Sequence, residues 1–170
     1  MSTTRFRALI ELHYLMRVRV RGEMGFGVCC GLFFVVKDEQ FDRTIFNGIP
    51  LNRMCKQPPS VAFVDIHQML RRITDGGVSW LLSYDFSTWF VQLQVGVEVG
   101  RVFLVQAADG SLWRVTGVPM GWAWAPVVAQ VTAEALVRET IRRVGDPGVD
   151  AFVYIDNVLF VFNEIGRAHV

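Results

Sequence analysis

The segment AFVYIDNVLFVF, at residues 151–162, decides the fold of this chain. Its two apolar runs, at residues 151–155 and 158–162, are rich in β-branched and aromatic residues, which favours a pair of strands. Asp156 and Asn157 separate the runs, and this pair tolerates the left-handed backbone of a tight turn. The segment therefore predicts an antiparallel hairpin whose tip carries a carboxylate.

The segments before this hairpin alternate between strand and helix patterns. In chain order they are a hairpin over residues 31–46, a helix over 60–75, a buried strand over 78–84 that delivers Asp85, a hairpin over 103–115 and an amphipathic helix over 126–143. The turn dipeptide Asp109-Gly110 carries the fourth of these predictions. The expected class is α+β with a mostly antiparallel sheet.

Composition excludes several functions. A hydrophobic content of 52% in 170 residues is ample for a packed core. The net charge of +1 gives no global field to attract nucleic acid, so any such partner must be held by a local patch. Neither a secretory signal nor a membrane span is recognisable, which predicts an intracellular protein of the cytoplasm or nucleus without a membrane partner. Sequence-specific DNA binding lacks support, because zinc spacing and a basic recognition helix are missing.

Asp85 and Asp156 are the candidate chemical groups. A carboxylate at the end of a buried strand and another at the tip of an apolar hairpin are costly placements unless a cation lies between them. Magnesium suits such ligands, and two ions about 4 Å apart can activate a hydroxyl and neutralise a triphosphate. Spacing alone leaves a plainer interpretation open, in which Asp85 caps a helix and Asp156 forms a turn.

Three segments, LSYDFSTWFVQL (82–93), VPMGWAWAP (118–126) and YIDN (154–157), resemble in order the palm motifs of reverse transcriptases. Residues 33–46 are similar to the finger hairpin of the same family. The resemblance spans residues 31–162. The Trp-Ala-Trp-Ala-Pro form of the middle motif is more similar to retrotransposons than to retroviruses, and suggests the group that pairs the polymerase with a tyrosine recombinase.

The resemblance implies the fingers and palm of a right-hand polymerase, with the thumb missing. Its expected divisions are an N-terminal segment of uncertain character (1–30), a fingers portion (31–76), a palm portion (77–163) and a tail (164–170). The implied activity is template-directed DNA synthesis from RNA or DNA by two-metal nucleotidyl transfer. The implied partners are a primer-template and deoxynucleoside triphosphates, while the oligomeric state is not indicated.

The family's site residues transfer to matching positions of this sequence. Asp85 and Asp156 would be the catalytic ligands of two Mg²⁺ ions, with the carbonyl of Phe86 on the second ion. Phe90 would exclude the 2′-hydroxyl of a ribonucleotide. The other implied roles are phosphate binding by Lys37 and Arg43, a nucleotide-pocket floor at Met120 and Gly121, and support of the motifs by Pro119, Pro126, Tyr154, Ile155 and Asn157.

The sequence departs from the family at Asn157, where the hairpin normally carries a second Asp. An amide is a poorer magnesium ligand than a carboxylate. We expect the parent protein to keep activity, since the first Asp of this motif is the indispensable ligand in the family. The chain is expected to be a fragment that is inactive alone, and its end, IGRAHV (165–170), resembles a translated sequencing adapter.

Three alternatives stay open at the level of sequence. The first is an inert retroelement remnant that keeps the fold. The second is another palm-type nucleotidyl transferase, such as an RNA-dependent RNA polymerase or a nucleotide cyclase, from which Phe90 discriminates. The third is an α+β binding module whose aspartates only form turns, which a lack of magnesium binding would favour.

Overall fold

The computed structural model of the protein describes residues 14–18, 29–36 and 42–163. The elements in chain order are β1 (Leu15–Arg17), β2 (Cys29–Val36), β3 (Asp42–Asn47), α1 (Ile49–Asn52), α2 (Ile66–Asp75), β4 (Val78–Asp85), α3 (Trp89–Gln92), α4 (Val97–Gly100), β5 (Leu104–Gln106), β6 (Leu112–Val115), α5 (Ala125–Val144), β7 (Val149–Tyr154) and β8 (Asn157–Asn163).

These residues belong to two compact units that alternate along the chain. The first unit draws on the ranges Met1–Pro58 and Thr88–Ala125, and the second on Pro59–Ser87 and Pro126–Val170. The predicted division into fingers (31–76) and palm (77–163) stays a prediction. The tail at 164–170, and all of the N-terminal segment apart from residues 14–18 and 29–30, lie outside the described residues.

The first unit contains a five-stranded sheet in the order β1-β6-β5-β2-β3. Its pairings are antiparallel except that β2 runs parallel to β5. Phe103 lies in the core of this unit, with its ring edge-to-face against Phe46 at 6.1 Å and Trp122 at 5.0 Å between centroids. Both predicted hairpins of this unit are confirmed. They could be predicted because apolar alternation and the Asp109-Gly110 turn are signals carried by the local sequence.

The loop at residues 118–124 is fixed by hydrogen bonds within the first unit. The Phe46 amide donates to the carbonyl of Met120 at 2.9 Å. The Asn52 side chain donates to the Gly121 carbonyl and accepts from the Ala123 amide, both at 2.9 Å. Gly121 has a φ of 112°, which L side chains rarely adopt. A Cβ at this position would collide with the Phe46 carbonyl oxygen.

We expect Gly121→Ala to destabilise the first unit by more than about 1 kcal/mol, because the alanine meets both a positive φ and a backbone collision. Gly96→Ala is the matched control, since Gly96 has a φ of −59° and no heavy atom within 4 Å of an added Cβ. Urea unfolding of both variants measures the difference. Equal midpoints for the two variants would contradict the expectation.

The second unit contains a three-stranded sheet in the order β4-β8-β7, with all pairings antiparallel. Helix α2 packs on β4. Side-chain hydrogen bonds from α5 reach β7. Buried residues of this unit include Val153, Val158 and Val161 of the sheet, and Ala129, Ala133 and Val137 at four-residue spacing on α5. The predicted hairpin at 151–162 and helix at 126–143 are confirmed.

Three local predictions need correction in the second unit. Helix α2 begins at Ile66 rather than near residue 60, because the Asp65 side chain accepts from the amides of His67 and Gln68 and caps the helix there. The strand at 78–84 forms but is not buried. Consecutive residues from Ser79 to Asp85 are exposed, so the described residues leave both faces of β4 largely uncovered. The hairpin turn lies at residues 155–156, one position earlier than predicted.

The described residues therefore form a mixed α+β structure whose sheets are almost entirely antiparallel, as the sequence predicted. Throughout the ranges 14–18, 29–36 and 42–163, no helix has the length and apolar character needed to cross a bilayer.

Candidate metal-binding hairpin

The tip of the β7–β8 hairpin is a two-residue turn. Tyr154 and Asn157 pair across it, which leaves Ile155 and Asp156 as the turn residues. Ile155 has a φ of 57°. Left-handed backbone is unusual for a β-branched residue, so neighbouring groups must hold it. The first turn residue, rather than the predicted Asp-Asn pair, therefore carries the strained conformation.

Asp85 is brought beside this tip by the register of the sheet. It is the last residue of β4 and lies directly opposite Asn157 on β8. Such cross-strand partners have Cβ atoms about 5 Å apart and project from the same face. The Phe86 amide also donates to the Asp156 carbonyl at 2.8 Å, so the chain after Asp85 is joined to the turn.

Asn157 connects the two aspartates. Its Nδ2 donates to Oδ1 of Asp156 at 3.0 Å, and its backbone lies opposite that of Asp85 on the neighbouring strand. The structure thus brings together Asp85, Phe86, Asp156 and Asn157, which are far apart in sequence as two pairs. The Asn157 amide thus acts as a donor that orients Asp156.

The donor set at this tip is compatible with magnesium. Within the described ranges no cluster of three His, Cys, Asp or Glu side chains could hold a metal ion. Mg²⁺ is commonly bound by one or two carboxylates, with substrate phosphates and waters supplying the remaining oxygens. Two aspartates with a backbone carbonyl or a side-chain amide oxygen nearby satisfy that requirement, whereas a site built from protein ligands alone does not fit.

One premise of the sequence argument is wrong for Asp85. The prediction invoked the cost of burying a carboxylate, yet Asp85 is exposed and its strand is exposed along most of its length. Asp156 is half-buried. The register that sets Asp85 opposite Asn157, rather than burial, is therefore the structural feature on which the candidate metal site depends.

Tyr154 of the hairpin and Pro126 of α5 were assigned a supporting role in the motifs. Tyr154 is exposed, and its ring contacts that of Phe63 at 5.4 Å between centroids. Pro126 is the second residue of α5, a position that suits proline because the helix needs no amide donor there. Their motif roles stay predictions.

The residues assigned to the nucleotide belong to the first unit and are described within it. Phe90 is half-buried in α3, Met120 is half-buried and Pro119 is buried in the loop before α5. Arg43 is exposed on β3, opposite Val35 of β2. Lys37 lies outside the described residues, so the proposed pair of phosphate-binding cations stays a prediction.

Two residues that sequence reasoning missed hold these segments in place. Asn52 fixes the loop at 118–124, as described above, and Gln130 of α5 binds the backbone of the β7–β8 hairpin. A polar residue among alanines and valines on one face of α5 was the signal for Gln130. Asn52 gives no comparable signal, because its partners are remote backbone groups.

Comparison with known proteins supports the fold. No family model and no curated protein matches the sequence. Among solved structures 464 chains match. One is a foamy viral protease–reverse transcriptase in complex with double-stranded DNA, similar at a TM-score of 0.64 and 15% identity over 91% of this chain. The chain spans 24% of that chain's length. The chain therefore shares its mixed α+β fold with part of a reverse transcriptase.

Proposed function

We propose that this chain is the fingers-and-palm part of a retroelement reverse transcriptase, which extends a primer with deoxynucleotides along an RNA or DNA template. The observation that carries the proposal is the pairing of Asp85 with Asn157, which places Asp85 beside Asp156 at one end of the sheet. The likeness of the fold to a foamy viral protease–reverse transcriptase supports it. The three sequence motifs supply the remaining support.

In the proposed site, Asp85 and Asp156 would hold two Mg²⁺ ions, with the carbonyl of Phe86 as a neutral ligand. The ions would supply electrostatic stabilisation of the triphosphate and activation of the primer hydroxyl. Asn157 orients Asp156 through its hydrogen bond. Arg43 and Lys37 would bind phosphate oxygens, and glycine at position 121 would let the backbone approach the nucleotide closely.

Single-turnover primer extension tests the proposal. Because a chain without a thumb would hold a duplex weakly, the protein is used in excess over a labelled primer-template, with Mg²⁺ or Mn²⁺ and all four deoxynucleotides. The chain alone is expected to be inactive at ordinary protein concentrations, where it would not hold the duplex. In this excess we expect slow, metal-dependent extension that Asp85→Ala abolishes. Absence of extension in the unmodified chain, together with metal affinity equal to that of Asp85→Ala, would favour the inert remnant instead.

Substitution of Phe90 tests whether the chain makes DNA, as proposed, or RNA, as a related polymerase would. If its ring occupies the place of a 2′-hydroxyl, Phe90→Ala should raise the use of ribonucleotides relative to deoxynucleotides by at least about tenfold. The ratio of the two single-turnover extension rates is the measurement. Val91→Ala, at the exposed neighbouring position of α3, is the control. An unmodified chain that already prefers ribonucleotides would point to an RNA polymerase.

Asn157→Asp should have opposite effects on metal binding and on metal-free stability. The new carboxylate adds a magnesium ligand, so we expect Mn²⁺ affinity to rise several-fold. Without metal, the variant loses the hydrogen bond to Asp156 and places like charges side by side, which lowers stability by about 1 kcal/mol. Calorimetric titration and thermal unfolding with and without Mn²⁺ measure the two effects. A variant that is less stable and binds metal no better would indicate that position 157 does not face the ions.

A further inference from the structure

Gln130 is the one fully buried polar residue among those described, with 1% of its surface exposed. It lies on the face of α5 that also carries Ala129 and Ala133, both buried. Glutamine is rarely found fully buried, because its amide must keep hydrogen-bond partners away from water. The partners of this amide therefore indicate what it is for.

The side chain of Gln130 binds the outer backbone of β7 where the strand enters the turn. Nε2 donates to the Val153 carbonyl at 2.9 Å and to Oε1 of Glu134 at 2.6 Å. Oε1 accepts from the Ile155 amide at 2.7 Å. A carbonyl can only accept and an amide can only donate, so the orientation of the Gln130 amide is determined by its two backbone partners.

The group held by Oε1 is the strained residue of the turn. Ile155 has a φ of 57°, a conformation that is strained for a β-branched side chain and persists only where surrounding contacts impose it. Asp156 follows directly, so the backbone angles at Ile155 set the direction of the Asp156 side chain. On its other side, Asp156 is held through its carbonyl by the Phe86 amide.

We propose that Gln130 is a positioning residue, which holds Ile155 in its left-handed conformation and thereby aims the Asp156 carboxylate at the metal ions. Gln130 does not touch the ions or the substrate in this role. The role of Gln130 toward the metal ions rests on the proposed function. The hydrogen bond between the Ile155 amide and Gln130 can be measured without any metal.

Gln130→Met removes all three hydrogen bonds of the Gln130 side chain, including the two to the hairpin backbone, at nearly constant volume. We expect the Ile155 amide to exchange faster with solvent and the Mn²⁺ affinity of the chain to fall by about 10- to 100-fold, the loss typical of removing a group that orients a metal ligand. Thr132→Val is the control. Its hydroxyl binds only the Val128 carbonyl within the same helix, so neither quantity should change.

Gln130→Glu gives a readout that a merely structural role would not show. The ionised carboxylate cannot donate to Val153 and is repelled both by that carbonyl and by Glu134, so we expect it to withdraw from the Ile155 amide. Protonation restores a donor and an acceptor in the arrangement of glutamine. Because burial and Glu134 both raise the pKa of the introduced carboxyl, protection of the Ile155 amide should recover as the pH falls toward 5. The same protection in the unmodified chain should not depend on pH.

These experiments test the hydrogen bond between Gln130 and Ile155 separately from the proposed metal binding. Unchanged Ile155 protection in Gln130→Met, or Mn²⁺ affinity within twofold of the unmodified chain despite faster exchange, overturns the positioning role. If Gln130→Met does not fold, the pH profile of Gln130→Glu decides, and a flat profile overturns the proposal. Loss of metal binding in Gln130→Met but not in Asp156→Ala would contradict the proposed function instead.

Discussion

Replacing Asp156 with alanine is expected to lower the Mn²⁺ affinity of the chain by more than about 100-fold and to abolish primer extension. Removing a group that only orients a ligand costs 10- to 100-fold in affinity, so the loss of a ligand should exceed that range. The fold should survive, because the hydrogen bond between Phe86 and position 156 uses backbone atoms that alanine retains. Calorimetric titration with Mn²⁺ measures the affinity, and single-turnover extension measures the activity.

Asp75→Ala controls for the loss of one negative charge. Asp75 is the last residue of α2 in the same unit and is exposed, with its carboxylate accepting from the Thr74 hydroxyl. Its removal should leave both quantities within about twofold of the unmodified chain, as expected for a screened surface charge. Equal losses in the two variants would show that the hairpin aspartate acts only through net charge, which would favour the interpretation of Asp156 as a turn former.

Phe103→Ala is expected to destabilise the first unit by about 3–5 kcal/mol, the usual cost of removing a buried aromatic ring. Phe103 is 0% exposed, and its contacts with the rings of Phe46 and Trp122 would both be lost. Since stabilities of 5–15 kcal/mol are typical of whole proteins, this change should remove a large share of the stability of the first unit. Amide exchange in β5 and β6 reports on this unit separately from the second.

Phe33→Ala supplies the comparison, because Phe33 is 47% exposed on β2 of the same sheet. Its loss should cost less than about 1 kcal/mol, as for most exposed substitutions. Exchange in β7 and β8 serves as the internal reference in both variants. Similar destabilisation by Phe103→Ala and Phe33→Ala would mean that the aromatic cluster contributes little to the first unit.

The sequence predicted the elements of this fold well and their surroundings poorly. Alternating apolar residues and the Asp109-Gly110 turn identify the hairpins from local information alone, and Asp65 could have placed the start of α2 had its capping role been recognised. The exposure of β4 depends on whether other elements cover its two faces, which a local pattern does not encode. Trp80, for example, is 69% exposed despite its apolar neighbours.

In the candidate site, too, local features could be predicted from the sequence and long-range features could not. Asp85 and Asp156 were found through motif resemblance, whereas the register that pairs Asp85 with Asn157 is a long-range property of the sheet. The turn was misplaced by one residue because its conformation is imposed by Gln130, which lies 25 positions earlier in the chain than Ile155. By intrinsic preference, Asn and Asp adopt left-handed backbone far more readily than Ile does. The hydrogen bond between Gln130 and Ile155 therefore overrides the local preference of the turn residues.

The alternation of the two units along the chain has a consequence for biosynthesis. Strand β4 leaves the ribosome well before β8, its neighbour in the sheet, and the segment Thr88–Ala125 made in between belongs to the other unit. At translation rates of about 5–20 residues per second, Asn157 is synthesised roughly 4–14 s after Asp85. Throughout that interval the backbone N–H and C=O groups that β4 directs toward β8 have no strand partner, and nascent chains in this state are natural clients for chaperones.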